Sequence, residues 1–129
     1  MKEYITGIGG ILFKCKDKSK TTKWYSENLG LKSESWGAVF HWREFANSTI
    51  EGSTSWGPFD NETDYFGPSG QEFMLNYRVQ NMNELLQKLQ ADGIPVVKIS
   101  ETAEYGKFAW VDDVDGRRIE LWEPIDSAL

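Results

Sequence analysis

The chain of 129 residues has one cysteine, one histidine, too few basic residues to balance its acids, and no long apolar run. Each shortage excludes something. With Cys15 alone, no internal disulfide can form, and a reducing compartment fits best. Cys15 continues the alternation Ile11, Phe13, Cys15 and reads as a small core residue. As a nucleophile it would want a base nearby, and the only imidazole is that of His41. No stretch approaches the ~20 apolar residues that cross a bilayer, and the opening MKEYITGIGG has no signal-peptide core. A cytoplasmic location is therefore expected. Fourteen Lys and Arg stand against twenty Asp and Glu, a net charge of -6. That balance argues against nucleic acid and anionic membrane as partners. Lys14, Lys16, Lys18, Lys20 and Lys23 do cluster, and they read as a solvated approach to a helix rather than a phosphate track.

What the chain does have is 40% apolar and 14% aromatic residues, enough for one domain with its own core. Its most informative stretch is Gly106–Pro124, GKFAWVDDVDGRRIELWEP. Two alternating segments, Lys107–Val111 and Arg118–Glu123, flank a turn of Asp and Gly residues, so a hairpin is expected. In the second segment Ile119 and Leu121 face one way, and Arg118, Glu120 and Trp122 the other. The apolar pair suits a core. The face carrying a carboxylate, a guanidinium and an indole is where function is to be sought.

The two halves follow one grammar. Ile8–Cys15 alternates as a strand; Ser19 or Thr21 can cap a helix running to about Asn28, and Gly30 stops it. Strand candidates Ser33–Trp36, Val39–Phe45 and Thr49–Trp56 follow, then a turn-rich connector from about Gly57 to Gly70. Glu72–Val79 opens the second half as a strand. Asn81 or Asn83 can cap a helix with Met82, Leu85, Leu86 and Leu89 on one face, and Gly93 closes it. Strands Val96–Ser100, Lys107–Val111 and Arg118–Glu123 complete it. The expected fold is α+β: two βαβββ modules, about 6–57 and 71–124, joined by a connector at about 58–70. Together they form a curved mixed sheet around a cleft, with helices on the outer face.

The chain resembles the vicinal oxygen chelate superfamily, which includes glyoxalase I, bleomycin-resistance proteins and extradiol dioxygenases, and stands nearest to glyoxalase-like members. Trp24-Tyr25 with Leu29-Gly30-Leu31 is similar to that family's "FY…LGL" helix exit. Met82–Gly93 matches its second helix, and Asp113–Leu121 its "DPDGNxIEL" motif, with Val114 for Pro and Arg117 for Asn. The resemblance implies a divalent metal in the cleft. It also aligns the ligand positions with Gly10, Met74, Glu120 and a donor in Thr49–Trp56, where Glu51 is the plausible one. Gly lacks a side chain and a thioether is a poor donor for a hard ion. No cofactor or metal is therefore expected, Glu120 and Glu51 being the residual donors for a loosely held cation. The resemblance also implies a homodimer.

The period of two assigns Ile11/Phe13/Cys15, Phe73/Leu75/Tyr77/Val79 and Ile119/Leu121 to the helix side. Gly10/Leu12/Lys14, Met74/Asn76/Arg78 and Arg118/Glu120/Trp122 then fall on the cleft side. Glu120 leads the candidates, as a base, a residual ligand, a substrate acceptor, or simply an ion-pair partner of Arg118 or Arg78. His41, the second catalytic candidate, faces either way. Ligand-binding candidates are Trp122, Arg118, Arg78, Asn76, Met74, Trp42, Trp56 and Trp110, since aromatic walls with a few polar groups suit a small flat molecule. Connector aromatics Phe59, Tyr65 and Phe66 can close over a ligand or meet a second subunit. Three functions remain: a small-molecule-binding protein sequestering an aromatic or cationic ligand, a glyoxalase-like lyase or isomerase working through Glu120, or an interaction module with no ligand.

Overall fold

A computed structural model describes residues 2–102 and 104–125. Its elements run β1 (Ile5–Cys15), α1 (Lys18–Leu29), β2 (Ala38–Arg43), β3 (Glu51–Asp60), β4 (Phe73–Val79), α2 (Met82–Ala91), β5 (Val96–Thr102), β6 (Gly106–Asp112) and β7 (Arg118–Pro124). All the strands join one mixed sheet in the order β2-β3-β1-β4-β7-β6-β5. The opening strands of the two halves, β1 and β4, pair antiparallel at its centre. Each carries the last strand of its own half in parallel on the other side, β3 on β1 and β7 on β4. Parallel neighbours need a long crossover, which is what each helix supplies. This is the duplicated α+β arrangement read from the sequence.

The alternation holds in the packing. Val79, Leu121, Val111 and Ala109 meet Met82 and Leu85 of α2 in one buried cluster, with Tyr77 and Ile119 beside it. Phe13 packs against Trp56 with ring centres 5.1 Å apart, and Trp56 against Tyr25 of α1 at 4.9 Å, both pairs tilted. Leu12, Met74 and Trp110 form a second cluster on the opposite side of the sheet, closed by Phe66 from the connector.

Three local expectations need correction. Ser33–Trp36 is not a strand: only an isolated bridge joins Glu34 to Gly37. Reciprocal backbone bonds of 2.7 and 3.1 Å between those two residues close a tight reversal with Ser35 and Trp36 at its tip. Gly37, at φ 140, turns the chain before any ladder can start. The first half is thus one strand short of the second. Helix α1 is capped by Asp17, whose carboxylate accepts the Lys20 N–H at 3.2 Å, while Ser19 and Thr21 lie inside the helix. For α2, Asn81 sits at the cap position with φ 57 but makes no side-chain cap bond. Glu123 on β7 accepts the Met82 N–H instead, at 3.1 Å, a capping carboxylate supplied from far along the chain. Both helices end as expected, at Gly30 and Gly93 with φ 71 and 74.

Candidate functional site

Strand register brings the site together. Gly10 lies opposite Ser55 on one side and Asn76 on the other. Asn76 faces Glu120, Glu120 faces Trp110, and Val39 lies beyond Ser55. One row therefore crosses β2-β3-β1-β4-β7-β6 on the cleft side, reading Val39, Ser55, Gly10, Asn76, Glu120, Trp110. It floors a cavity of about 540 Å³, to which Val39, Ser55, Gly10, Asn76 and Glu120 contribute directly.

Glu120 is buried, with 4 % of its surface exposed, yet lines the cavity. Three neutral donors hold its carboxylate. The Tyr65 hydroxyl and the Trp110 indole N–H, the latter at 2.9 Å, both donate to Oε2, and the Asn76 amide donates to Oε1. A carboxylate oxygen accepts about two bonds, so Oε2 is filled and Oε1 keeps one acceptor position. Burial and the neighbouring Glu120 charge push the Tyr65 phenol far above its usual range. It therefore stays protonated and donates. The Oδ1 atom of Asn76 is buried without a partner, as is the hydroxyl of Ser53.

Two aromatic ladders meet at this carboxylate. Trp122, Phe108 and Trp110 stack in succession along β7 and β6, at 5.8 and 6.1 Å. Phe59 of β3 and Tyr65 of the connector stack at 5.1 Å. Trp110 from one ladder and Tyr65 from the other converge on Glu120, so the carboxylate ties the connector to the sheet.

The other candidates divide by position. Trp122 lines the cavity and fixes its indole by donating to the Tyr105 carbonyl at 2.9 Å. His41 lines the same cavity from β2, with β3, β1 and β4 between it and the strand of Glu120. Trp110 holds Glu120 from within the buried cluster rather than walling the cavity. Met74 is fully buried beneath Phe66. Trp56 points to the helix side, against Tyr25. Trp42 donates to Thr54 at 2.8 Å and lies 5.0 Å from the Arg78 guanidinium, which also sits 5.2 Å from the Trp122 ring and donates to the Ser53 carbonyl. Arg118 pairs with Asp112 at 3.0 Å, and not with Glu120.

The sequence reading missed five cavity residues: Phe108, Ser55, Tyr105, Val39 and Gly9. Phe108 was legible, because Ala109 and Val111 belong to the α2 core and the even positions of β6 must face the other way. Trp36 reaches the cavity only because its expected strand is a turn. Phe59 lines it from β3, which runs on to Asp60 into the expected connector, and Tyr65 lines it from the connector proper; nothing in local sequence aims Tyr65 at a strand 55 positions away.

The row also tests the metal that the resemblance implies. Beside Gly10 and Glu120 the register places Asn76, not Met74, and Ser55, not Glu51. Glu51 is exposed at the far end of β3 and pairs with Arg43 at 3.4 Å. The donors at the row are thus a hydroxyl, a missing side chain, an amide already bonded to the carboxylate, and a carboxylate that accepts three protein bonds. A hard divalent ion needs several oxygen donors converging on one point, and this set does not fit one. Among the described residues no group of three or more His, Cys, Asp and Glu comes together.

No family model matches the sequence, and no curated protein does. Solved structures do. Methylmalonyl-CoA epimerase from Mycobacterium tuberculosis superposes with a TM-score of 0.62 at 18% identity, over 98% of this chain and 93% of that one. The Streptomyces coelicolor methylmalonyl-CoA epimerase gives 0.68 at 13% identity, over 94% and 99%. A glyoxalase/bleomycin resistance protein/dioxygenase superfamily member from Vibrio splendidus 12B01 gives 0.55 at 14%, over 90% and 97%. The protein has the vicinal oxygen chelate fold. At these identities the likeness establishes architecture and nothing finer. No helix among the described residues is long and apolar enough to cross a membrane.

Proposed function

We propose that the protein is a small-molecule-binding protein whose ligand occupies the cavity over Glu120 without a metal ion. The observation that carries this reading is the carboxylate itself. It is buried, lines an aromatic cavity, and accepts hydrogen bonds from Tyr65, Trp110 and Asn76. Keeping a buried charge costs several kcal/mol unless its bonds are satisfied, and here three residues from three elements satisfy it. A cavity with aromatic walls and one fixed polar group is suited to holding and orienting a flat ligand.

A second reading rests on the acceptor position left on Glu120 Oε1. That position can take a proton from a carbon acid, which would make the protein a lyase or isomerase, as the epimerases of the same fold suggest. Three protein donors already occupy three of the carboxylate's acceptor positions, so binding ranks first. Homodimerisation is part of the proposal, since Ile8, Ile11 and Phe73 leave apolar surface exposed on the helix side of the central strands.

Tryptophan fluorescence titrated with a library of aromatic metabolites tests the first reading, with Ser55→Phe as a cavity-filling control. A saturable response that the control abolishes is expected; a flat response to every compound defeats the reading. Turnover of methylglyoxal hemithioacetal or methylmalonyl-CoA, lost in Glu120→Gln, would promote the second.

A further inference from the structure

The charge and hydrogen-bonding balance of the cavity is one-sided. Among the described residues neither Lys nor Arg lines it, and Glu120 is the one acidic residue that does. Among the described residues no ion pair involves Glu120, and its protein partners are all neutral donors. The cations around the cavity are engaged elsewhere. Arg78 lies against Trp42 and Trp122, Lys98 lies 5.2 Å from the Trp110 ring centre, and Lys14 lies 5.6 Å from that of Phe66.

Acceptors predominate at the floor. Glu120 Oε1 has one open position, and Asn76 Oδ1, on a side chain only 4 % exposed, has no partner among the described residues. The two residues are neighbours in the same row, and Asn76 Oδ1 sits against Gly9, where an added Cβ would lie 2.1 Å from it. Orphaned buried acceptors are uncommon and costly, so a donor from outside the chain is the natural complement. A bound group bearing several N–H bonds and a positive charge satisfies both acceptors and offsets the buried charge. A protonated amine does so without the fixed multi-oxygen shell that a divalent metal demands.

We propose that the cavity selects an aromatic or arylalkyl ammonium compound, its charged nitrogen set against Glu120 and Asn76 and its ring lying along the Trp122–Phe108 wall. The selection rests on the reading of this cavity as the ligand site, and the experiment separates the two. Phenethylamine, phenethyl alcohol and phenylacetate share a ring and differ at the head group: cation, neutral donor and anion. Calorimetric titration of each into the full chain near neutral pH is expected to rank the amine tightest, by about tenfold over the alcohol, with the carboxylate weakest. In Glu120→Gln, checked for folding by circular dichroism, the amine is expected to fall to the level of the alcohol while the alcohol is little changed. The wild-type ranking decides the matter even if that variant does not fold. Alcohol or carboxylate binding as tightly as the amine overturns the cation preference and leaves the site reading standing. Failure of all three to bind overturns both.

Discussion

The Tyr65 hydroxyl donates to the Glu120 carboxylate, joining the connector to the last strand across 55 positions of chain. This single bond closes one side of the cavity and helps keep a buried charge in place. Both consequences can be measured.

Tyr65→Phe removes the donor and leaves Oε2 with Trp110 alone. A lost hydrogen bond to a charged group costs about 1.5–3 kcal/mol, so the urea midpoint should fall by a corresponding amount. No change would mean the contact contributes nothing in solution.

The same residue governs behaviour in alkali. Its phenol is raised above the ordinary value of 10.0 in the fold, whereas the unfolded chain ionises there. Stability from this group is therefore complete below pH 10 and declines as pH rises above it, because only the unfolded state then loses the proton. The slope is at most one proton's worth, about 1.4 kcal/mol per pH unit. Denaturant titrations between pH 9 and 11 should show a shallower decline for Tyr65→Phe than for the wild type.

Two adjacent glycines should respond differently. A Cβ at Gly9 would lie 2.1 Å from Asn76 Oδ1 and 3.0 Å from both Arg78 and Trp122, while one at Gly10 meets nothing closer than 3.4 Å. Gly9→Ala is expected to cost about 1–3 kcal/mol through overpacking. Gly10→Ala should cost clearly less, and equal losses in thermal unfolding would contradict the packing described.

Gly67 ties the connector to Arg118. Its φ is 77, and an added Cβ would come within 2.6 Å of the guanidinium. Gly67→Ala should destabilise by about 1–2 kcal/mol and make the connector more open to limited proteolysis. Unchanged cleavage would show that the connector does not depend on this contact.

The register also specifies how a metal site would be rebuilt. Gly10→His combined with Asn76→His places two imidazoles in the row of Glu120. Titration with Ni²⁺ or Zn²⁺ should then reveal binding at least about tenfold tighter than in the wild type. Tight stoichiometric uptake by the wild type would defeat the metal-free proposal.

Much of the fold was legible because short-range rules decide it. The alternation of Arg118–Glu123 separates Leu121 from Glu120 and Trp122, and the helical spacing of Met82, Leu85 and Leu89 marks the α2 face. Gly30 and Gly93 end their helices because a left-handed residue costs glycine least. Caps were less legible: Glu123 closes α2 from a distant strand, and Asp17 precedes the polar residues that local spacing favoured.

The sequence by itself determined the order of strands and helices apart from the expected strand Ser33–Trp36, the two faces of the last strand, and a glutamate turned away from the helix core. Those follow from backbone periodicity, which a chain carries locally. Only the tertiary structure decided which residues stand beside that glutamate. Register between strands far apart in the chain chose Asn76 over Met74 and Ser55 over Glu51, and the return of the connector delivered Tyr65. Such pairings are set by the packing of whole elements against one another, and no local pattern encodes them.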